Sequence, residues 1–291
     1  MTSIREKGTV LLLKILFALT AFAANSVLCR IALKAPHIDA SSFSGIRLLS
    51  GALCLLILSL FQKKNKKPEF NWLNALLLCV YVFTFSIAYV SLNTATGALL
   101  LFGAVQIVMA GWGFYRGEPL TLAKGVGIAA AIIGICLLLL PGAETPPLNT
   151  ALLMMVSGIA WAIYSLRGKQ VRHALNATTG NFLLALPLSL MITLAIGKPV
   201  QIDTTGMVLA IVSGAVTSGA AYILWYSILP KLSSTTASTL QLCVPCLAAF
   251  GGVIFLNEAI TLRMFISTAI IILGILLVIQ SDKKTREKSG D

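Results

Sequence analysis

The fold is decided by a stretch that the chain contains twice. Residues 94–122 read TATGALLLFGAVQIVMAGWGFYRGEPLTL, and residues 234–262 read STTASTLQLCVPCLAAFGGVIFLNEAITL. Without a gap, Glu118 falls on Glu258 at an offset of 140 (258 − 118 = 140). An internal repeat of this length indicates that the chain is built from two copies of one design.

The composition places both copies in a bilayer. Apolar residues make up 57% of the 291, charged residues 11%, and the mean hydropathy is +0.92, which is far from a soluble domain. A helix crosses the hydrocarbon core with about 20 mostly apolar residues. Ten stretches meet that requirement: 9–29, 40–61, 71–91, 95–115, 121–141, 149–168, 178–197, 205–228, 234–256 and 262–281. The fold class is therefore an all-α membrane protein with ten transmembrane helices.

The first stretch also has features of a cleavable signal. Arg5 and Lys7 make a basic start, and residues 21–24 resemble a small-residue cleavage site. However, FAANSVLCR at 22–30 recurs loosely as WAIYSLRGK at 161–169. Because the segment has a counterpart in the second half, we expect it to be retained.

The distribution of Lys and Arg predicts the orientation. With the N-terminus inside, inner loops and tails hold sixteen: Arg5, Lys7, Lys63, Lys64, Lys66, Lys67, Arg116, Lys124, Arg167, Lys169, Arg172, Lys231, Lys283, Lys284, Arg286 and Lys288. Outer loops hold four: Arg30, Lys34, Lys198 and Arg263. Both termini are predicted to be cytoplasmic. The net charge of +12 is thus a topology signal, and it does not indicate a nucleic-acid partner.

Each half, residues 1–143 and residues 148–291, holds five of the predicted crossings. Five is odd, so the second half enters from the opposite side. This is an inverted repeat, an arrangement typical of transporters because two related halves can open a central site alternately to each side.

Several short motifs carry a family resemblance. One repeat helix ends in Gly117-Glu118 and the other in Asn257-Glu258, each followed by Pro or Ala, an apolar residue and Thr. Ile46-Arg47-Leu48 and Pro245 stand at further family-like positions. With five plus five crossings, the chain resembles the EamA branch of the drug/metabolite transporter superfamily.

The resemblance implies a central cavity surrounded by crossings one to four and six to nine, with five and ten at the periphery. It also implies export of metabolites, amino acids among them. Proline often bends both related helices in the family, whereas here Val105 stands opposite Pro245. The two gates are therefore expected to differ, with Pro245, Gly111 and Gly251 as the gating residues.

Charge inside the crossings is the most informative search, because it is costly in hydrocarbon and usually functional. The ten stretches contain no Asp, Glu or His, so a proton relay of that kind has no obvious position. The two cations embedded in the crossings, away from their ends, are Lys14 and Arg47. Lys14 is close enough to the surface to snorkel. For Arg47 two roles stay open: a contact with a substrate carboxylate, or a structural anchor on helix-end carbonyls.

Glu118 and Glu258 are interpreted as structural. Each precedes a threonine, Thr121 or Thr261, that can cap the next helix, and a carboxylate is favoured at a helix N-terminus. Arg116 lies on the same loop as Glu118 and is its predicted partner.

The substrate-binding residues are expected among the polar and aromatic side chains of the crossings. Polar side chains in hydrocarbon should face the bundle interior. The candidates are Asn25, Arg47, Tyr81, Tyr89, Gln106, Trp161, Tyr164, Ser165, Asn181, Ser213, Thr217, Tyr222, Trp225 and Gln241, joined by Ser26 and Ser218. Together they predict a largely uncharged, aromatic-walled pocket for small amphipathic molecules.

Small residues four apart, such as Gly127 with Ala131 and Ser213 with Thr217, predict close helix packing. All six cysteines fall in crossings, where they are interpreted as small apolar residues. Neither a metal site nor a cofactor is predicted.

The favoured function is a secondary transporter or facilitator in the cytoplasmic membrane that exports a small organic solute, with neutral and aromatic amino acids as candidates. Two alternatives stay open: a carrier of sugar phosphates, nucleotide sugars or drugs, and a non-transporting membrane scaffold. An intramembrane enzyme is disfavoured because the crossings lack the His and carboxylate groups that such chemistry needs. The oligomeric state is not predicted.

Overall fold

The computed structural model of the chain describes residues 2–35, 37–61, 67–118, 121–139, 146–197, 199–259 and 262–289. The helices are α1 (Thr2–Lys34), α2 (Ala40–Leu60), α3 (Trp72–Tyr89), α4 (Thr94–Tyr115), α5 (Leu122–Leu139), α6 (Leu148–Gly168), α7 (Ala174–Ile196), α8 (Thr204–Gly214), α9 (Ala221–Ile228), α10 (Ser234–Gln241), α11 (Cys243–Leu256) and α12 (Leu262–Ser289). A π-helical segment, Ala215–Ala220, joins α8 to α9, and a short 3-10 turn, Leu229–Lys231, follows α9.

Side-chain caps set several of the helix starts. Asp39 accepts hydrogen bonds from the first amides of α2, and Asp203 does the same for α8. Ser233 caps α10 in the same way. Each cap satisfies amide groups that have no partner within the helix. At the other end of α7, Gly197 adopts a left-handed backbone with φ 61°, a conformation that glycine accepts without strain.

Eight helical spans in the described part of the chain are long and apolar enough to cross a membrane: Gly8–Lys34, Ala40–Leu60, Trp72–Tyr89, Thr94–Tyr115, Leu148–Gly168, Ala174–Ile196, Thr204–Lys231 and Ser234–Leu256. The two other predicted crossings, α5 and α12, contain the shorter apolar runs Leu122–Gly134 and Phe265–Val278. The chain is therefore a multi-pass helical membrane protein, and a count of ten crossings stays a prediction.

The eight spans pack around a centre where the two halves meet. In this bundle α6 lies against α3 and α4, and α1 lies against α8, α9 and α11. Helix α2 packs on α7 and α8. Since α1 corresponds to α6 in the repeat, and α4 to α10 and α11, contacts made by one half have counterparts in the other.

Helices α5 and α12 form a pair of their own. A side chain on Gly127 would meet the backbone oxygen of Gly274 at 2.6 Å, and one on Gly274 would meet the backbone nitrogen of Ala131 at 3.0 Å. The backbones can approach this closely only because glycine lacks a side chain. The packing predicted from the small residues of the fifth crossing is thus observed.

The copies of the repeated stretch differ in continuity. Helix α4 runs unbroken through Val105, whereas the helix of the second copy is interrupted at Leu242, between α10 and α11. Leu242 lies one turn before Pro245, whose ring cannot be accommodated beside an intact preceding turn. The second copy is thus interrupted next to the proline and α4 is continuous, while a bend of the second helix stays a prediction.

Candidate functional site

Aromatic rings from four helices meet at the centre of the bundle. The Trp161 ring on α6 lies with its centroid 5.1 Å from Tyr81 on α3, 5.3 Å from Phe22 on α1 and 4.7 Å from Tyr222 on α9. Tyr164, one turn from Trp161, stacks on it at 5.8 Å. These centroid distances are those of favourable aromatic pairs. We call these five residues the aromatic cluster.

A small cavity of about 10 Å³ lies within this cluster, which is the lower limit for one water molecule. Its lining is Phe22, Ser26, Tyr81, Phe85, Leu101, Phe102 and Trp161. Three of these residues, Ser26, Tyr81 and Trp161, are predicted substrate-binding residues. The predicted aromatic wall is therefore present around a cavity that is nearly filled.

Arg47 lies beside the aromatic cluster and is fully buried. Its Nε donates to Ser218 Oγ at 2.9 Å, and its Nη2 donates to the hydroxyls of Tyr81 at 2.9 Å and Tyr222 at 3.0 Å. The suggestion that Arg47 binds helix-end carbonyls is wrong, because these partners are side-chain hydroxyls. Ser218 reaches Arg47 because α8 touches α2 at Gly214, where any side chain would collide with the Arg47 carbonyl.

Other predicted residues pair across helices. Asn25 Oδ1 on α1 accepts from the hydroxyls of Ser213 at 2.7 Å and Thr217 at 3.1 Å. Trp161 Nε1 donates to Gln241 Oε1 at 2.7 Å, which joins α6 to α10. In the structure these groups satisfy one another, which lowers the free energy of burying them.

Two further pairs of predicted residues are hydrogen-bonded to each other between helices. Trp225 Nε1 donates to Ser165 Oγ at 3.2 Å, and Asn181 Nδ2 donates to the Tyr164 hydroxyl at 3.3 Å. These pairs join α9 to α6 and α7 to α6. Their role in substrate binding stays a prediction.

Two predicted residues lie outside these pairs. The Tyr89 hydroxyl donates to the Thr94 carbonyl at 3.3 Å, close to the turn between α3 and α4. Gln106 on α4 is fully buried, and both polar atoms of its side chain lack a partner among the described residues.

Glu118 joins the end of α4 to the start of α10. Its Oε1 accepts from the Ser234 amide at 2.6 Å, and its Oε2 accepts from the Thr235 amide at 3.1 Å and hydroxyl at 2.8 Å. Lys169 Nζ lies 4.0 Å from the carboxylate and donates to Ser234 Oγ at 3.1 Å. We call this group the Glu118 latch.

Electrostatics keep the Glu118 latch charged. Burial alone raises the pKa of the Glu118 carboxyl, but the hydrogen bonds from Ser234 and Thr235 outweigh it and hold the pKa below its ordinary value. Burial lowers the pKa of the Lys169 ammonium, and the nearby Glu118 partly offsets that effect.

Glu258 makes the equivalent contact at the end of α11. Its Oε1 accepts from the amide and the hydroxyl of Thr94, both at 3.1 Å, at the start of α4. Arg30, on α1, interacts electrostatically with Glu258 and donates to the carbonyls of Tyr89 at 2.8 Å and Val90 at 2.9 Å. We call Glu258, Thr94 and Arg30 the Glu258 latch.

The latches are related by the repeat. Thr94 and Ser234 differ by 140, as do Glu118 and Glu258 (234 − 94 = 258 − 118 = 140). Each carboxylate binds a helix start in the opposite half, and each latch has a cation from the first helix of a half. The two latches lie at opposite ends of α4, since Thr94 begins that helix and Glu118 follows its end.

Several details of the sequence interpretation need correction. Glu118 caps α10 and Glu258 caps α4, rather than the helices that follow them in the chain. The charged neighbour of Glu118 is Lys169. Arg116 instead lies over the Trp112 ring, with its guanidinium carbon 5.7 Å from the centroid. Arg30, counted among loop residues, is a buried residue of α1. The local sequence favoured neighbours along the chain, whereas these contacts join residues more than 50 positions apart.

Thr121 acts as predicted, because its hydroxyl accepts from the Lys124 amide at 3.2 Å in the first turn of α5. Thr261 lies outside the described residues. Of the residues assigned to gating, Gly251 contacts Val27 on α1, where a side chain would lie 2.5 Å from Cγ2. A side chain on Gly111 would meet nothing within 4 Å. Gly111 and Gly251 are therefore equivalent in the repeat but have different neighbours in the structure.

None of the six cysteines, all within the described part of the chain, forms a disulfide bond. Among the described residues, no group of three or more His, Cys, Asp and Glu side chains has a geometry that suits a metal ion. A groove of about 600 Å³ opens sideways between α2 and α8, next to Leu53 and Ile211. None of the predicted site residues line it, and its apolar wall is as expected for a surface that faces hydrocarbon.

Sequence reasoning missed Arg30 and the aromatic residues Phe22 and Phe85. Phe22 and Phe85 have no polar group to mark them. For Arg30 a signal existed: in the aligned segments 22–30 and 161–169 it falls on Lys169 (169 − 30 = 139).

Comparison with known proteins adds a family and a fold. The model of the EamA-like transporter family matches residues 9–140 and again residues 148–280. A crystal structure superposes with a TM-score of 0.73 at 17% identity and covers 94% of this chain and 98% of its own. That likeness concerns the fold alone.

Relatives of known sequence cover most of the chain. An uncharacterized protein of Pseudomonas aeruginosa is 44% identical over 269 residues, which are 92% of this chain and 94% of that protein. The threonine/homoserine exporter RhtA of Escherichia coli K12 is 27% identical over 268 residues, 87% of each chain. An uncharacterized transporter of Archaeoglobus fulgidus is 25% identical and covers 90% of this chain and 96% of its own.

Proposed function

The chain belongs to the EamA-like transporter family, and on that premise we propose that it is a secondary transporter that exports small organic metabolites by alternating access. Neutral and aromatic amino acids are the proposed solutes. The family and the names of the relatives indicate a transporter rather than an enzyme.

The observation that carries the proposal is the pair of latches. Alternating access requires one closure at each end of the pathway, each able to open while the other stays shut. The Glu118 latch and the Glu258 latch join the two halves at opposite ends of α4 by hydrogen bonds that local helix motion can break. With both formed and the central cavity nearly filled, the structure corresponds to an occluded state.

We propose the ten-crossing, inverted-repeat topology for this transporter, with both termini on the cytoplasmic side of the inner membrane. The excess of Lys and Arg on one side supports this orientation. The Glu118 latch then closes the cytoplasmic end, and the Glu258 latch closes the outer end.

The choice of solute follows from the lining of the cavity. The aromatic cluster and the neutral amides and hydroxyls around it suit a small amphipathic molecule better than a polyanion. A relative that is named as an exporter of threonine and homoserine supports amino acids as the first solutes to test.

Transport is proposed to be downhill or by exchange. A carboxyl whose pKa lies below its ordinary value when latched, and near about 4.3 when free in water, is ionised in both states at neutral pH. Opening the Glu118 latch therefore moves no proton onto that group.

The proposal is tested by reconstitution into liposomes. Uptake of labelled amino acids is measured with and without a pH gradient, beside protein-free liposomes. Absence of flux for every solute would contradict the transporter function, and flux that strictly requires the gradient would contradict uncoupled transport.

A second arm separates a carrier from a scaffold. The core variant replaces four buried residues with Ala: Asn25, Gln106, Trp161 and Tyr222. The control variant replaces four exposed apolar residues with Ala: Leu53, Ile107, Leu194 and Val208. A carrier should lose flux in the core variant and keep it in the control, while both remain monodisperse. Equal flux in both variants would argue that the cluster is structural.

A further inference from the structure

Arg47 carries a charge that nothing in the spans neutralises. Its guanidinium is fully buried, and its three hydrogen-bond partners, Ser218, Tyr81 and Tyr222, are neutral hydroxyls. The eight apolar spans contain no Asp or Glu in their sequences. A buried cation without a counterion is strongly unfavourable in a low-dielectric surrounding.

One nitrogen of the guanidinium is also unused. Nη1 is buried and has no hydrogen-bond partner among the described residues. It carries two N–H donors, but the bidentate fork of a guanidinium needs donors on two nitrogens, and Nε and Nη2 already bond hydroxyls. A carboxylate can therefore accept a charge-assisted hydrogen bond from Nη1 and supply the missing negative charge.

The Arg47 guanidinium packs against two of the rings that line the cavity, while Arg47 itself is not a lining residue. The guanidinium carbon is 5.1 Å from the centroid of the Tyr81 ring and 5.2 Å from that of Phe85. Both rings line the small cavity, as does Trp161, whose ring centroid lies 5.1 Å from that of Tyr81. If the cavity opens wider, a solute bound in it can place an uncharged side chain among the rings and an acidic group toward Arg47.

We propose that Arg47 binds the carboxylate of the transported solute, and that the solute is a zwitterionic amino acid with an uncharged side chain. This inference rests on the proposed transport function. It excludes cationic drugs, which the buried guanidinium would repel. It also disfavours phosphate esters, because one cation cannot balance a doubly charged group.

Arg47 also braces the bundle, since its bonds join α2 to α3 and to the segment around α9. If Arg47 is only a structural brace, any substitution should lower the stability of the fold and reduce the transport of every solute equally. A carboxylate site predicts a loss that depends on the solute. The two roles separate when solutes that differ only in the carboxylate are compared.

The experiment uses the full chain in liposomes and in nanodiscs. The solutes are L-threonine, L-leucine, L-phenylalanine and L-tryptophan, each beside the amino alcohol in which –CH2OH replaces the carboxylate, with uridine as an uncharged metabolite. Counterflow gives the apparent affinity for transport, and thermal shift in nanodiscs gives binding.

The variants are Arg47→Gln, which removes the charge, Arg47→Lys, which keeps it, and Tyr222→Phe, which removes one hydroxyl at the site. The matched control is Ser44→Ala. Ser44 is fully buried on α2, one turn before Arg47, and its hydroxyl joins α2 to Ser86 on α3 at 2.9 Å. Its removal weakens the same helix contact without touching the charge.

We expect at least one amino acid to be transported with an affinity at least about tenfold above that of its amino alcohol, the effect of one hydrogen bond to a charged group. Arg47→Gln should abolish that preference, Arg47→Lys should retain part of it, and Ser44→Ala should leave it unchanged. Tyr222→Phe should change it, because loss of the hydroxyl frees an N–H donor of Arg47 Nη2. If Arg47→Gln does not fold, Tyr222→Phe decides the outcome by the same comparison.

Three results would overturn the inference. Equal affinity for acids and alcohols, or transport of the alcohols or uridine without the acids, would sink carboxylate binding and leave the transport function intact. An unchanged preference in Arg47→Gln, or in a folded Tyr222→Phe when Arg47→Gln does not fold, would remove the role assigned to this site. Absence of flux for every solute would instead overturn the proposed function, and the inference with it.

Discussion

Replacing each latch carboxylate by its amide should affect the two ends of the bundle unequally. Glu118 uses both oxygens: Oε1 for the Ser234 amide, and Oε2 for the amide and hydroxyl of Thr235. In Glu118→Gln one oxygen becomes an NH2 group, so at least one N–H donor loses its acceptor in either orientation. Glu258 uses Oε1 for both of its bonds, and the oxygen of Glu258→Gln can keep both.

The magnitudes follow from this count. A hydrogen bond to a charged group contributes about 1.5–3 kcal/mol net, and a neutral one about 1 kcal/mol. Glu118→Gln loses at least one charged bond, which destabilises that closure by about 2 kcal/mol and raises the open population by about 30-fold. Glu258→Gln only converts charged bonds to neutral ones, which amounts to about 1 kcal/mol or about fivefold.

Buried cysteines report the open populations. Ser238→Cys and Ala98→Cys occupy equivalent positions (238 − 98 = 140), one turn inside the helix starts that the two latches hold. Both residues are buried, with exposed fractions of 0% and 1%. In a background without the native cysteines, the labelling rate by a polar maleimide is proportional to the population in which that end is open.

We expect Glu118→Gln to raise the labelling rate at Ser238→Cys by about 30-fold and to leave Ala98→Cys unchanged or slower. Glu258→Gln should raise labelling at Ala98→Cys by a smaller factor. The reasoning would be refuted if Glu118→Gln left its own end unchanged, or if Glu258→Gln had the larger effect.

Three further predictions concern pH, packing and the helix break. A carboxyl with a depressed pKa stabilises its bound state above its ordinary pKa of about 4.3 and loses that contribution as the pH falls through the latched value. Because only the thiolate reacts with a maleimide, the labelling rate at Ser238→Cys is divided by that of the same cysteine in unfolded protein at the same pH. This ratio should be flat from pH 8 to 6 and rise below about 4.3; a rise near neutrality would contradict this. Gly127→Ala should lower the midpoint of thermal unfolding, because its methyl group would collide with the backbone of α12 and overpacking costs about 1–3 kcal/mol, whereas Gly125→Ala, with nothing within 4 Å, should raise it slightly through helix propensity; equal shifts would refute the packing role. Pro245→Val places the residue found at the equivalent position of α4 into the second copy, and it should slow counterflow without lowering the unfolding midpoint; unchanged flux would show that the break is not part of gating.

The helices were predictable because hydropathy and length decide which segments enter a bilayer, and eight of the spans match predicted crossings. Their ends were less predictable. Helix α1 continues to Lys34 because Arg30, a polar residue that suggested a loop, is buried against helix carbonyls. The polar pairs around Asn25 and Trp161 follow the rule that polar side chains in hydrocarbon find partners, but a sequence does not say which partners.

The two latches also show which contacts a sequence predicts and which it does not. The repeat singled out Glu118 and Glu258, and dipole reasoning correctly indicated that each stabilises a helix start. It chose the wrong helix for both carboxylates, because the adjacent helix is near in sequence whereas α10 and α4 are near only in space. The cations of the latches, Arg30 and Lys169, could be identified only from the alignment of α1 with α6 together with the contacts in the folded structure.

The close pair formed by α5 and α12 has a consequence for the motion of the whole bundle. These helices are equivalents in the two halves, so an exchange of conformations between the halves leaves the contact between them formally the same. The backbone contact of Gly127 with Gly274 can thus persist while the latches alternate. In the proposed alternating-access cycle, this pair would be the fixed contact about which the remaining helices rock, so that the two halves stay together in the membrane.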